Sequence, residues 1–111
     1  MFKIAASPAY WITVEVPFLL ESGSREVRKF DLEFERLTHE QISDFVKNPT
    51  SVSDREFLVT RVRNWRGVAD EGGATLEFTR ENFERLLEIV PVQQCAIKAF
   101  FASIKDARAG N

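Results

Sequence analysis

Histidine and cysteine, side chains readily recruited for proton transfer, nucleophilic attack and zinc binding, are scarce in this sequence. His39 is the only histidine and Cys95 the only cysteine. His39 falls between Thr38 and Glu40 in the first turn of an expected helix, a water-facing position that suits a surface imidazole better than a general base. Cys95 stands between Gln94 and Ala96 in a helical pattern, without the setting that activates a thiolate. The two could pair on residue type alone, but no spacing brings them together. One cysteine can form neither an intrachain disulfide nor a thiolate zinc site. Asp70 and Glu71 precede Gly72 and Gly73 and could open a cation loop or supply two carboxylates to a glycosidase-like site. They lack the graded ligand spacing of a calcium loop, and a surface turn accounts for them more simply, since Asp bonds its own backbone and Gly supplies positive φ. No phosphate-binding loop, dinucleotide fingerprint, serine elbow or zinc spacing occurs. The expectation is a protein that is not an enzyme, with no catalytic residues, no cofactor and no metal.

Charge narrows the partners. Fifteen Lys and Arg against seventeen Asp and Glu leave a formal net charge of -2, without the clustered cations that nucleic-acid affinity requires. Arg61, Arg63 and Arg66 come nearest to a cluster and read as a solvated face near a helix end. The start, Met1 to Pro8, lacks a seven-residue apolar core, and nowhere do about 18 apolar residues run together. Neither a membrane nor a nucleic acid is an expected partner, and a reducing cytoplasmic compartment fits the lone cysteine.

The elements that would position any site follow from periodicity. Tyr10, Ile12, Val14 and Val16 alternate with Trp11, Thr13 and Glu15, which predicts a half-buried strand that Pro17 ends or marks as an edge. Past the turn Glu21-Ser22-Gly23-Ser24, Arg28, Phe30, Leu32 and Phe34 alternate with Lys29, Asp31, Glu33 and Glu35. The pair predicts a β-hairpin over about 9–35 whose apolar face needs a helical cover. Three helix starts share one device. Thr38 caps, Gln41 reciprocates, and Leu37 staples to Ile42; Ser53 caps, Glu56 reciprocates, and Val52 staples to Phe57; Thr79 caps and Phe78 staples to Phe83, with Asn82 where Glu or Gln is expected.

Apolar stripes extend the helices. Phe57, Leu58, Val62 and Trp65 predict one over about 54–65, and Phe83, Leu86, Leu87 and Val90 one over about 80–89. Pro91 suits the first turn of a last helix over about 91–107, with Ala96, Ile97, Phe100, Phe101 and Ile104 on its stripe. With the helix over about 38–47, the architecture is α+β: an N-terminal antiparallel hairpin and about four helices packed as one domain over 1–111. Most of the ten phenylalanines belong inside such a core. What remains for function is surface, and Trp11 and Phe101 are the aromatics most expected to be exposed.

Trp65-Arg66-Gly67-Val68-Ala69-Asp70-Glu71-Gly72-Gly73, followed by Leu76-Glu77-Phe78-Thr79-Arg80-Glu81-Asn82-Phe83 and ending in Leu86-Leu87, resembles the tail assembly chaperones of long-tailed bacteriophages and prophages. That family runs a helix into a W-x-G-V turn, then an acidic glycine-containing segment, an F-[ST]-x-E-N helix start, a proline-led step and an aromatic- and alanine-rich last helix. Pro91 and Ala99-Phe100-Phe101 match the last two, and the opening strand with Pro17 and the stretch from Phe30 to Leu37 resemble the family's hairpin. Gly73-Ala74-Thr75 departs from a common Gly-x-Pro-like step. The resemblance implies a protein of the host bacterial cytoplasm that binds the long tape-measure protein, keeps it soluble until tail-tube protein polymerises around it, and has some members with a longer frameshifted form. It assigns no binding residue by position; Trp11, Phe100, Phe101 and Ile104 are the residues expected to contribute. A structural tail adaptor or connector and a small inhibitor or immunity-type module stay open as alternatives, as does assembly of copies with one another.

Overall fold

The computed structural model describes residues 7–47 and 53–109, with the side chains of 106–109 left aside. Alternation dominates the first third. Strand β1 (Ala9–Leu19) and strand β2 (Arg25–Glu35) pair antiparallel in unbroken register, from Ala9 opposite Glu35 to Leu19 opposite Arg25. Ile12, Val14 and Val16 of β1 and Phe30, Leu32 and Phe34 of β2 point inward, and all six are buried. Pro17 lies within β1 rather than beyond it, on an edge strand as its missing amide requires.

The described residues form four helices, α1 (His39–Lys47), α2 (Asp54–Arg61), α3 (Arg80–Leu87) and α4 (Val92–Ala109), and the last three cover the inner face. The capping chemistry forms. Thr38 Oγ1 accepts from the Gln41 amide at 3.1 Å while the Thr38 amide donates to Gln41 Oε1 at 2.8 Å. Ser53 Oγ and Thr79 Oγ1 accept from Glu56 and Asn82 amides. Asn82, in place of Glu or Gln, sends its side-chain amide back to the Glu77 carbonyl at 2.9 Å. The Phe78 and Phe83 rings meet at 5.6 Å, whereas the expected staple residue Val52 lies outside the described residues.

One expected element is corrected. The helix foreseen over 54–65 stops at Arg61, and Val62–Arg66 forms a third strand, β3, antiparallel to β2 in the order β1-β2-β3. Val62 and Trp65 both face the core, a three-residue spacing that mimics a helical stripe. A β-bulge produces it: the register shifts between Glu33 and Phe34, so Phe34 faces Val62 while Leu32 faces Trp65, and Arg63 is the extra residue. Two boundaries also move. The helix foreseen over 80–89 ends at Leu87, and Pro91 precedes α4, its carbonyl accepting from the Cys95 amide at 3.0 Å.

The core joins the sheet's inner face to Phe57 and Leu58 of α2, Val62 and Trp65 of β3, Phe83 and Leu87 of α3, and Val92, Ala96 and Phe100 of α4. Every described phenylalanine is buried or half-buried, and rings interlock from Phe34 through Phe100 to Phe57 at 5.0 and 5.3 Å. α1 contributes no fully buried residue and holds on through half-buried Phe45, which stacks on Phe57 at 4.0 Å. No single helix among the described residues is long and apolar enough to cross a membrane.

Candidate interaction surface

The Trp65 to Gly73 segment resolves into a set of fixed structural tasks. Trp65 is buried on β3, and its indole Nε1 donates to the Leu76 carbonyl at 2.8 Å, tying the returning chain to the strand. Arg66 points to the other face, where Nε donates to Asp31 Oδ2 at 2.8 Å and the guanidinium stacks 4.1 Å above the Trp11 ring. Gly67 adopts φ +82, which a side chain would strain, and turns the chain. Asp70 Oδ1 accepts from the Gly72 and Ala74 amides at 2.9 and 3.0 Å, so the acidic loop is closed by its own carboxylate. The second half of the motif therefore builds a turn.

His39 is exposed on α1, and Cys95 is half-buried on α4. Arg61 and Arg66 pair with Glu35 and Asp31 of β2, and no three His, Cys, Asp or Glu side chains gather among the described residues. Asp31 is a titrating group clearly shifted by its surroundings. Its carboxyl is held below the usual carboxylate range, first by the Arg66 hydrogen bond and then by that from Thr13 Oγ1 at 2.8 Å, against a smaller opposing effect of burial.

The aromatic positions expected at a partner surface divide. Trp11 lies on the outer face of β1, 36% exposed beneath Arg66. Phe100 is corrected: at 1% exposure, packed on Phe34 and Phe57, it is core and presents almost no surface to a partner. Phe101 is half-buried between Phe45 at 6.0 Å and Phe100 at 5.5 Å. Ile104, one turn further, is half-buried and faces open space.

That space is a groove of about 460 Å³ where β1, α1 and α4 meet. Tyr10, Trp11 and Ile12 form one wall, Leu37 and Ile42 another, and Ile104 a third, with Phe100 contributing to the lining. Polar tips mark its rim: Arg36 stacks over Tyr10 at 4.8 Å and donates to the Ser7 carbonyl at 2.9 Å, while the Tyr10 hydroxyl meets Ser103 Oγ at 3.1 Å. Ile42 and Ile104 also line an adjoining depression of about 470 Å³ that reaches Val46 on α1, a residue 58% exposed. Apolar walls with few polar groups are suited to an apolar partner. Sequence periodicity alone could place Trp11 and Ile104 on their elements, but Ile42 and Val46 enter only through the docking of α1. Comparison with protein-family models, curated proteins and solved structures gives no match to this chain.

Proposed function

We propose that this chain is a phage tail assembly chaperone that holds apolar helical segments of a tape-measure protein in the groove between β1, α1 and α4. The observation that carries the proposal is the groove itself: three apolar walls, left open at the surface, on a domain with no buried polar or charged side chain among its described residues. The resemblance of the Trp65 to Leu87 region to tail assembly chaperones names the partner. A long chain with apolar stripes aggregates in water, and many small proteins covering those stripes would keep it dispersed. One groove of this size gives a weak contact. Repeated attachment along one tape-measure chain gives high overall affinity, yet polymerising tail-tube protein can displace the copies one at a time.

The groove's build suits release. α1 forms one wall without a fully buried side chain, so it has less packing to lose on opening than α2, α3 or α4.

Co-expression with the tape-measure protein tests the proposal. Ile104→Asp places charge in the groove and Val46→Asp in the depression adjoining it, neither replacing a fully buried residue, and each variant is first checked for an unchanged melting transition. The expected outcome is loss of soluble tape-measure protein with both. Full solubilisation by the folded double variant would sink the groove assignment.

A further inference from the structure

The sheet has one long edge, that of β1, to which no other described element hydrogen-bonds. Its hydrogen-bond phase can be read from the bonds that flank the ladder. The Arg36 amide donates to the Pro8 carbonyl and the Leu20 amide to the Ser24 carbonyl, both at 2.8 Å, in the same register that pairs Ala9 with Glu35 and Leu19 with Arg25. Antiparallel strands alternate bonded and non-bonded pairs. Even-numbered residues of β1 therefore direct amide and carbonyl toward β2, and Trp11, Thr13 and Glu15 direct theirs to the open side. Pro17 falls in the outward set, so its missing amide costs the β1–β2 ladder nothing and blunts the distal part of the edge. What is left is a stretch from Ala9 to Glu15 with outward backbone groups and a single charge. No bond from another described element reaches the amides of Trp11, Thr13 or Glu15.

We propose that this edge pairs antiparallel with the same edge of a second copy of the chain, across a twofold axis at Thr13, joining two three-stranded sheets into one of six. Charge complementarity favours both this partner and this register. With Thr13 opposite Thr13, Trp11 faces Glu15 of the second copy. The Glu15–Lys29 ion pair of that copy, 3.5 Å long, then lies beside the Arg66–Asp31 pair and the Arg66 guanidinium over Trp11, giving alternating signs on the outer face. The axis repeats this contact on its other side. Centring the axis on Glu15 sets like charges directly opposite, and centring it on Trp11 brings the two Arg66 side chains together. In the Thr13 register Pro17 meets Ala9 at the end of the ladder, where its lost bond matters least. Ile12, Val14 and Val16 keep their inward orientation, so neither core is disturbed. The dimer rests on the open edge and not on the tape-measure assignment.

Amide hydrogen exchange and sedimentation equilibrium on the full chain test it together. The amides of Trp11, Thr13 and Glu15 should exchange at least about tenfold more slowly at a concentration where the dimer fills than after dilution to monomer. In a Cys95→Ala background, Thr13→Cys should form a disulfide-linked dimer under mild oxidation, because a bonded pair across the axis stands about 5.5 Å apart at Cα. Val27→Cys, on the exposed distal part of β2, should not. Thr13→Pro removes an outward amide and should give a folded monomer. A chain that stays monomeric at high concentration with fast exchange at all three amides overturns the proposal. So does a dimer in which Thr13→Cys fails to cross-link, or protection that appears only on adding tape-measure protein. Loss of groove binding in the Ile104 and Val46 variants leaves these readouts unmoved, so the two proposals fail separately.

Discussion

Trp65 and Trp11 stand on opposite faces of one sheet, linked by Arg66, and the chain treats them in opposite ways. Trp65 is 6% exposed, meets Phe78 and Phe83 edge-on at 5.2 and 6.2 Å, and satisfies its indole N–H on a backbone carbonyl. Trp11 is 36% exposed and is covered by a single guanidinium. A buried indole is surrounded on all sides by atoms already ordered, so its removal leaves a cavity; an indole at the surface exchanges protein contacts for water. The inner face thus stores stability, and the outer face with its neighbouring edge and groove keeps apolar area available.

The largest effect expected is therefore at Trp65. Trp65→Ala should cost about 3–5 kcal/mol, while Trp11→Ala should cost less than about 1 kcal/mol, the scale of an exposed cation–π contact. Denaturant titration of both variants checks the contrast, and equal losses would break it. Gly67 is where the chain leaves β3 between the two faces. Gly67→Ala should cost about 1–2 kcal/mol from the left-handed backbone alone, because the added Cβ would stand at an ordinary 3.7 Å from Phe30 Cα. A melt showing no loss would mean that the turn relaxes.

The smallest effect sharpens the outer face. Asp31 has its folded pKa depressed, so its contribution is fully present above the unfolded carboxylate value and is lost as pH falls through the folded one. Asp31→Asn should cost about 1 kcal/mol or less near neutral pH, since its partner Arg66 is largely exposed. The difference from the parent chain should vanish in strong acid. Stability measured against pH checks the sign, and a difference that grows on acidification would reverse the assignment.

Much of the architecture was legible in order. Alternation gave away both hairpin strands and their faces, because a period of two leaves one choice of register once a face is buried. The caps at Thr38, Ser53 and Thr79 marked the starts of α1, α2 and α3, because a side chain acting on amides two or three residues away is local chemistry. Val62 and Trp65 misled for a physical reason: a bulge makes a strand place residues three apart on one face, which is also what a helix does. The candidate surface was half legible. Trp11 was visible as the polar-face aromatic of its strand, and Ile104 as the end of a stripe. Phe100 was misassigned, because a stripe read from sequence carries no information on which of its members a neighbouring sheet will cover.

The sequence by itself determined where helices begin, which strand residues point together, that Gly67 must turn the chain, and that histidine and cysteine occur once each, since each is read from residue identities or from bonds and periodicities within a few residues. Only the tertiary structure decided that Trp65 belongs to a strand, that Arg66 links Asp31 to Trp11, that Phe100 is core, and that β1, α1 and α4 leave a groove beside an open edge. Those outcomes depend on which surfaces meet across 20 to 90 residues of chain, and the energy of such contacts is written in the packing of both partners rather than in the pattern of either.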